Sequence, residues 1–158
     1  MDQNRMEKGR KYCLRLLSVR ARSSREITER LREKDHTEQE IKKLREGLER
    51  EGLINDARFA VDWVERRLRT SPRGRAVIKR ELLEKGISPE MIESAMDDVY
   101  EGRCDRDIAE EIARKKIKSI SGNKKQNIHA GIFRFLMSKG FDIEIVEEVI
   151  ERLLPDLE

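Results

Sequence analysis

Aromatic side chains make up only 4% of these 158 residues. None accompanies the basic segments described below, so stacking of nucleobases on rings is not implied. No apolar run approaches the ~18 residues that cross a bilayer. The opening MDQNRMEKGRK lacks the apolar stretch of a secretory signal. The expectation is a cytoplasmic protein without membrane attachment. Cysteine is scarce: Cys13 and Cys104 lie far apart, in no CxxC, and each falls on an apolar stripe. Both are expected to be buried, reduced thiols. His36 and His129 stand alone, with no second ligand at metal spacing. A surface or capping role is expected of each. Neither G-x-x-x-x-G-K-S/T nor G-x-G-x-x-G occurs, so no nucleotide cradle is expected. Carboxylate pairs such as Asp97-Asp98 and Glu147-Glu148 fall on outward helical faces, without the desolvation a general acid needs. The expectation is no catalysis, no cofactor and no metal.

What the chain does have is a threefold repeat. The copies read Ile27, Leu31, Lys34, Ile41, Leu44, Leu48; then Ile78, Leu82, Lys85, Ile92, Ala95, Val99; then Ile132, Leu136, Lys139, Val146, Val149, Leu153. The offsets within each copy are the same, and the steps between copies are 51 and 54 residues. Such a period marks an array in which one unit cannot bury its apolar face alone. Chain length suffices to bury roughly 70% of the unfolded surface without a staple.

Each copy divides into three helices, and no stretch alternates with the period of a strand. The expected fold is all-α: three tandem three-helix repeats, residues 1–54, 55–102 and 103–158, stacked into an elongated, curved array. The first helix runs from about Met6 to Arg20. Ser23 with Glu26, and Thr37 with Glu40, form capping boxes that open the second and third helices. Asn55 or Asp56 caps the first helix of the next repeat. Ser71-Pro72 is expected to start the second helix of that repeat, with proline in the first position. Gly86 ends it and Ser88-Pro89 opens the third. Ser121-Gly122-Asn123 breaks the third repeat, Gly140 ends its second helix, and Asp142 caps its last. Phe59, Ala60, Trp63 and Val64 are expected inside. The least helical junctions, Glu51 to Asp56 and Tyr100 to Cys104, are where a hinge would fall.

Lysine, arginine, aspartate and glutamate form 42% of the chain, yet the net charge is only +3. The balance conceals sorting by helix. Basic residues gather where the first helix meets the second: Arg20, Arg22 and Arg25; then Arg66, Arg67, Arg69, Arg73, Arg75, Lys79 and Arg80; then Lys115, Lys116, Lys118, Lys124 and Lys125. Acid gathers in the third helices, from Glu38 to Glu51, Glu90 to Glu101 and Glu144 to Glu151. If the copies stack in register, the basic corners form one edge, the footprint of a polyanion partner. The alternative is a set of solvated helical faces held by i, i+4 pairs. Contacts to phosphate would follow the backbone and read little sequence. Arg73 and Arg75 are expected on the surface, dispensable for folding.

Tyr12-Cys13-Leu14-Arg15-Leu16-Leu17, followed by Arg22-Ser23-Ser24-Arg25-Glu26 and Arg30-Leu31, resembles the start of the RecX regulatory proteins. Glu51-Gly52-Leu53-Ile54-Asn55-Asp56-Ala57-Arg58-Phe59-Ala60, then Trp63-Val64 and Arg67, is similar to that family's most recognisable segment. Lys79-Arg80-Glu81-Leu82, Lys85-Gly86-Ile87, Phe135-Leu136 and Lys139-Gly140-Phe141 continue the resemblance, which covers about residues 10 to 154. It implies a cytoplasmic, non-enzymatic protein; a monomer is expected. Its partner would be the RecA recombinase filament on single-stranded DNA, whose assembly, ATP hydrolysis and strand exchange it would mostly inhibit. One departure stands out: Asp35-His36 replaces the Lys-Gly-apolar turn of copies two and three. Two other functions fit the charge pattern, a nonspecific nucleic-acid-binding module and a scaffold for another helical partner.

Overall fold

A computed structural model describes residues 2–120 and 125–155, with side chains of the second stretch described from 128 onward. The described residues form helices α1 (Gln3–Val19), α2 (Ser24–Arg32), α3 (Glu38–Arg50), α4 (Asp56–Thr70), α5 (Arg75–Glu84), α6 (Pro89–Tyr100), α7 (Asp105–Ser119), α8 (Lys125–Ser138) and α9 (Ile143–Leu153), and no strand. No helix among them is long and apolar enough to cross a membrane. The Ser121-Gly122-Asn123 break lies outside the described residues.

Local chemistry sets the helix starts. In α2 the Glu26 amide donates to Ser23 Oγ at 3.2 Å, and the Ser23 amide donates to the Glu26 carboxylate at 3.0 Å. Thr37 and Glu40 repeat this box at α3. Asn55 caps α4 by accepting the Arg58 amide at 3.0 Å, which frees the Asp56 carboxylate for another use. Helix α6 begins at Pro89, as expected, with Ser88 Oγ accepting from the Met91 amide.

Helix α5 begins at Arg75, not at Pro72. Residues 71–74 stay non-helical because their end of the helix is fastened from elsewhere. The Gly74 amide donates to the Lys139 carbonyl at 3.0 Å, and the Arg75 amide to the Asp105 carboxylate at 2.9 Å. A second correction concerns cysteine. Cys13 is buried, but Cys104 is exposed at the start of α7, where its amide donates to Asp107. Trp63 is half-buried rather than inside; it stacks on Phe59 with centroids 5.8 Å apart.

The repeated apolar positions form the core. All are buried except Val99 and Leu153, which are half-buried. In the first repeat Cys13, Ile27, Leu31, Ile41, Leu44, Leu48 and Ile54 make one cluster. The shared lysine has a shared environment: Lys34 lies over Tyr12, Lys85 over Trp63 and Lys139 over Phe135, each 5.5–5.6 Å from the ring centre. Cation–π contacts of this exposed kind contribute about 0.5–1 kcal/mol each.

Two compact units emerge: Met1–Trp63 with Leu82–Ala95, and Val64–Glu81 with Met96–Glu158. Helices α4, α5 and α6 thus contribute to both. In the first unit the Ser23 hydroxyl donates to the Lys85 carbonyl at 2.7 Å, and Gly86 lies against the stem of Arg25. In the second unit the counterpart of Ser23 is Gly74, bound to the Lys139 carbonyl, while Gly140 lies against Val77. One joint therefore occurs twice. The start of a repeat's second helix meets the end of the next repeat's second helix.

The joint explains the departure at Asp35. Asp35, Gly86 and Gly140 occupy the same turn, all with left-handed φ of +59°, +78° and +80°. A Cβ at Gly86 would stand 2.5 Å from Arg25 Cδ, and one at Gly140 would collide with Val77. Asp35 instead has its carbonyl taken by Arg5 Nη2 at 2.7 Å, from within its own repeat. Aspartate tolerates the left-handed conformation better than most residues, so glycine is dispensable there.

Candidate functional site

The basic residues gather around the starts of α2 and α5 and the end of α7, and most are engaged with the protein itself. Arg20 makes a two-point contact with Glu26, the shorter arm 2.8 Å. Arg22 Nε donates to the Leu16 carbonyl at 3.4 Å. Arg25 pairs with Glu29 at 3.0 Å. The second set behaves similarly. Arg67 bridges α4 to α5 through Glu81 at 2.8 Å. Arg73 donates through Nη1 to the Ser138 carbonyl at 3.2 Å, while its Nε is buried. Arg75 places its guanidinium 4.5 Å above the Tyr100 ring and within 3.8 Å of Asp97. Arg73 and Arg75 are therefore half-buried and engaged with the fold, not free on the surface as expected. Lys79 is half-buried and Arg66 is exposed.

Lys115 pairs with Glu111 at 2.8 Å, and Lys116 lies 5.5 Å over Phe135. Arg69, Arg80 and Lys118 are exposed, with no ion pair among the described residues. Lys124 lies outside the described residues; Lys125 opens α8, with its side chain outside them.

Exposed ion pairs of this sort stabilise a fold by about 0–1 kcal/mol each. Arg73 and Arg75 also pack against the fold.

The acid is not uniformly outward. Glu40 is buried, held by Arg5, the Thr37 amide and His36, whose Nδ1 lies 3.3 Å away. Arg5 leads these causes in lowering the Glu40 carboxyl to about 2. Glu26 joins Arg20 to Lys85, each at 2.8–3.0 Å. Burial opposes its charge, but those two cations and the Ser23 amide outweigh it, leaving its pKa at about 2. His36 is thus an inward residue packed on Gly9, whereas His129 is exposed. His129, Glu147 and Glu151 line an open groove of about 490 Å³ in the third repeat. Among the described residues no cluster of three His, Cys, Asp or Glu could hold a metal ion.

Two carboxylates escaped the sequence reading. Asp56 accepts both the Ser24 amide at 2.8 Å and the Ser24 hydroxyl at 2.6 Å. Asp105 accepts the Arg75 amide on both oxygens, at 2.9 and 3.1 Å. Each is the first residue of a repeat's first helix, and each closes the start of the preceding repeat's second helix. The signal was their common position after a turn. At Asp56 that position suggests only a cap for its own helix.

Three family models match in chain order. The first three-helix domain of RecX fits residues 10–46, the second 55–96 and the third 105–150. A regulatory protein RecX from Amycolatopsis mediterranei (strain U-32) is 32% identical over 152 residues, spanning 96% of this chain and 86% of that protein. The chain belongs to the RecX family of regulatory proteins. The namesake from Oceanobacillus iheyensis is 30% identical over 152 residues, covering 96% of this chain and 56% of its own length. Among solved structures, RecX from Lactobacillus salivarius superposes with a TM-score of 0.76 at 29% identity, over 95% of this chain and 97% of that one. The three matches follow one another in the order of the repeats, and each is to a three-helix domain.

Proposed function

We propose that the chain binds a RecA recombinase filament on single-stranded DNA and restrains its assembly, ATP hydrolysis and strand exchange. The observation that carries this reading is the basic collar at the start of α2 and again at α5, in a chain that three RecX domain models match in order. The modules are taken as residues 1–54, 55–102 and 103–158. Arg20, Arg22, Arg25, Arg66, Arg69, Arg80, Lys115 and Lys118 meet phosphates or acidic filament patches. Arg67, Arg73, Arg75, Lys79 and Lys116 hold the collar in shape behind them, and Lys124 and Lys125 join the basic set by sequence alone. Several weak contacts on one chain add through effective concentration. Charge complementarity raises the association rate. The protein works as a cytoplasmic monomer and by grip, not catalysis.

The test is to titrate the chain into a mixture of recombinase and single-stranded DNA while following ATP turnover. A falling rate supports the reading. An unchanged rate at saturating protein overturns it. Binding to bare DNA, with a log–log salt slope near −4 for about six phosphate contacts, and no preference for the coated filament, favours an independent nucleic-acid-binding module.

A further inference from the structure

The lysine common to the repeats is fully engaged at Lys85. Its carbonyl accepts the Ser23 hydroxyl at 2.7 Å. Its ammonium, 5.5 Å over Trp63, pairs with Glu26 at 3.0 Å. One capping box, Ser23 with Glu26, thus answers both groups of a single residue. The carbonyl half of the arrangement recurs at Lys139, which accepts the Gly74 amide at 3.0 Å.

At Lys34 neither group is answered. The ammonium lies 5.6 Å over Tyr12, as Lys85 lies over Trp63. Among the described residues it has no carboxylate partner, and the Lys34 carbonyl accepts no hydrogen bond. The residue opens onto a pocket of about 370 Å³ lined by Arg5, Lys8, Tyr12, Lys34 and His36. Arg5 and His36 are engaged with Glu40. The unanswered charge is therefore that of Lys8 and Lys34, both exposed. None of these five residues belongs to the basic collar.

We propose that this end of the first module is a socket for the start of a helix on a protein partner, one with serine or threonine at its cap and glutamate three residues on. The cap hydroxyl donates to the Lys34 carbonyl, and the glutamate meets the Lys34 and Lys8 ammoniums, as Ser23 and Glu26 meet Lys85. A capping box supplies both contacts from one rigid turn. A phosphodiester offers the charge but no donor for the carbonyl. Asp35 sets a further condition. It stands in the turn position of Gly86, where a Cβ would lie 2.6 Å from the Arg25 Cβ. The entering helix therefore carries glycine where α2 has Arg25, and its box reads Ser or Thr, any residue, Gly, Glu. This surface goes beyond the collar and does not depend on phosphate binding there.

The experiment titrates the full chain, followed by NMR, with a blocked synthetic peptide that copies residues 21–33 with Arg25→Gly. The expected result is a shift of the Tyr12 ring and of the amides at Lys34 and His36. Glu26→Gln in the peptide, or Lys34→Ala in the chain, should weaken binding about three-fold or more, as loss of an exposed ionic contact does. Asp35→Gly in the chain should admit the peptide that keeps Arg25, which the wild type excludes. The peptide variants act on the wild-type chain, whose folding is not at issue. Unmoved Tyr12 and Lys34 resonances with the glycine peptide, or equal binding by its Glu26→Gln form, overturn the proposal. So does a shift of the same resonances by oligodeoxythymidine and not by the peptide, which marks a phosphate site. A shift produced by raising the protein concentration alone overturns it too, since the occupant is then a second copy.

Discussion

The Ser23 hydroxyl donates to the carbonyl of Lys85 across 62 residues of sequence, at 2.7 Å. Beside it, Gly86 holds φ at +78° against the stem of Arg25. A polar contact and a steric one thus fix the same joint.

Gly86→Ala should be costly on both counts. The left-handed conformation costs a β-carbon about 1–2 kcal/mol, and crowding against Arg25 adds about 1–3 kcal/mol. Urea denaturation should show a loss of at least about 2 kcal/mol. A variant with wild-type stability would mean that the turn does not bear on its neighbour.

Acid should weaken the fold through Glu26 and Glu40. Both carboxyls are lowered from the ordinary 4.5 to about 2. The folded state therefore favours their ionised forms. Their stabilisation is present in full above about pH 5 and is lost as pH falls from the ordinary value through about 2. Urea midpoints measured from pH 6 to pH 2 should decline over that window. Glu26→Gln, already weaker at neutral pH because Arg20 and Lys85 lose their partner, should show a shallower decline.

Trp63→Ala should cost about 1–3 kcal/mol, below the 3–5 typical of a fully enclosed aromatic ring. The ring is half-buried, in contact with Phe59 and the Lys85 ammonium. Chemical denaturation followed by circular dichroism checks the value. A larger loss would place the ring in the core after all.

Replacing Arg69, Arg80 and Lys118 together with alanine should leave stability within about 0.5 kcal/mol and weaken polyanion binding. Arg75→Ala should lower the melting temperature, because its guanidinium covers Tyr100. Thermal melts and anisotropy titrations separate the two behaviours. Equal melting loss in both variants would contradict the division into exposed and packed cations.

The two thiols should react very differently. Cys104 is exposed, whereas burial pushes the Cys13 thiol up to about 11 and seals it from solvent. A maleimide added to native protein should label Cys104 within minutes and spare Cys13 until denaturant is added. Mass spectrometry of the peptides decides this.

The fold was legible because its signals are local. Ser23-Glu26 and Thr37-Glu40 speak within one turn of helix, and Ile27, Leu31 and Leu48 repeat at helical spacing. Even the recurring lysine at 34, 85 and 139 was visible, though not its ring. What stayed hidden depends on neighbours distant in the chain. Pro72 looked like a helix start until Asp105 and Lys139 claimed the amides at Arg75 and Gly74. Cys104 shared an apolar stripe with buried residues but fell just before its helix. Of the basic collar, the location could be read from sequence. The division of labour could not, because Arg75 is engaged by Tyr100 and Asp97, distant in the chain, while Arg69 is exposed.

The left-handed turn after each second helix has a consequence for how such chains are assembled from parts. A module with glycine there can plug into the one before it, and its leading aspartate completes the fit. The first module, with a side chain at Asp35, offers no such plug. Swapping it into the middle would jam the connection. The leading place of the first module is written into the side-chain bulk at a turn whose backbone angle all three share.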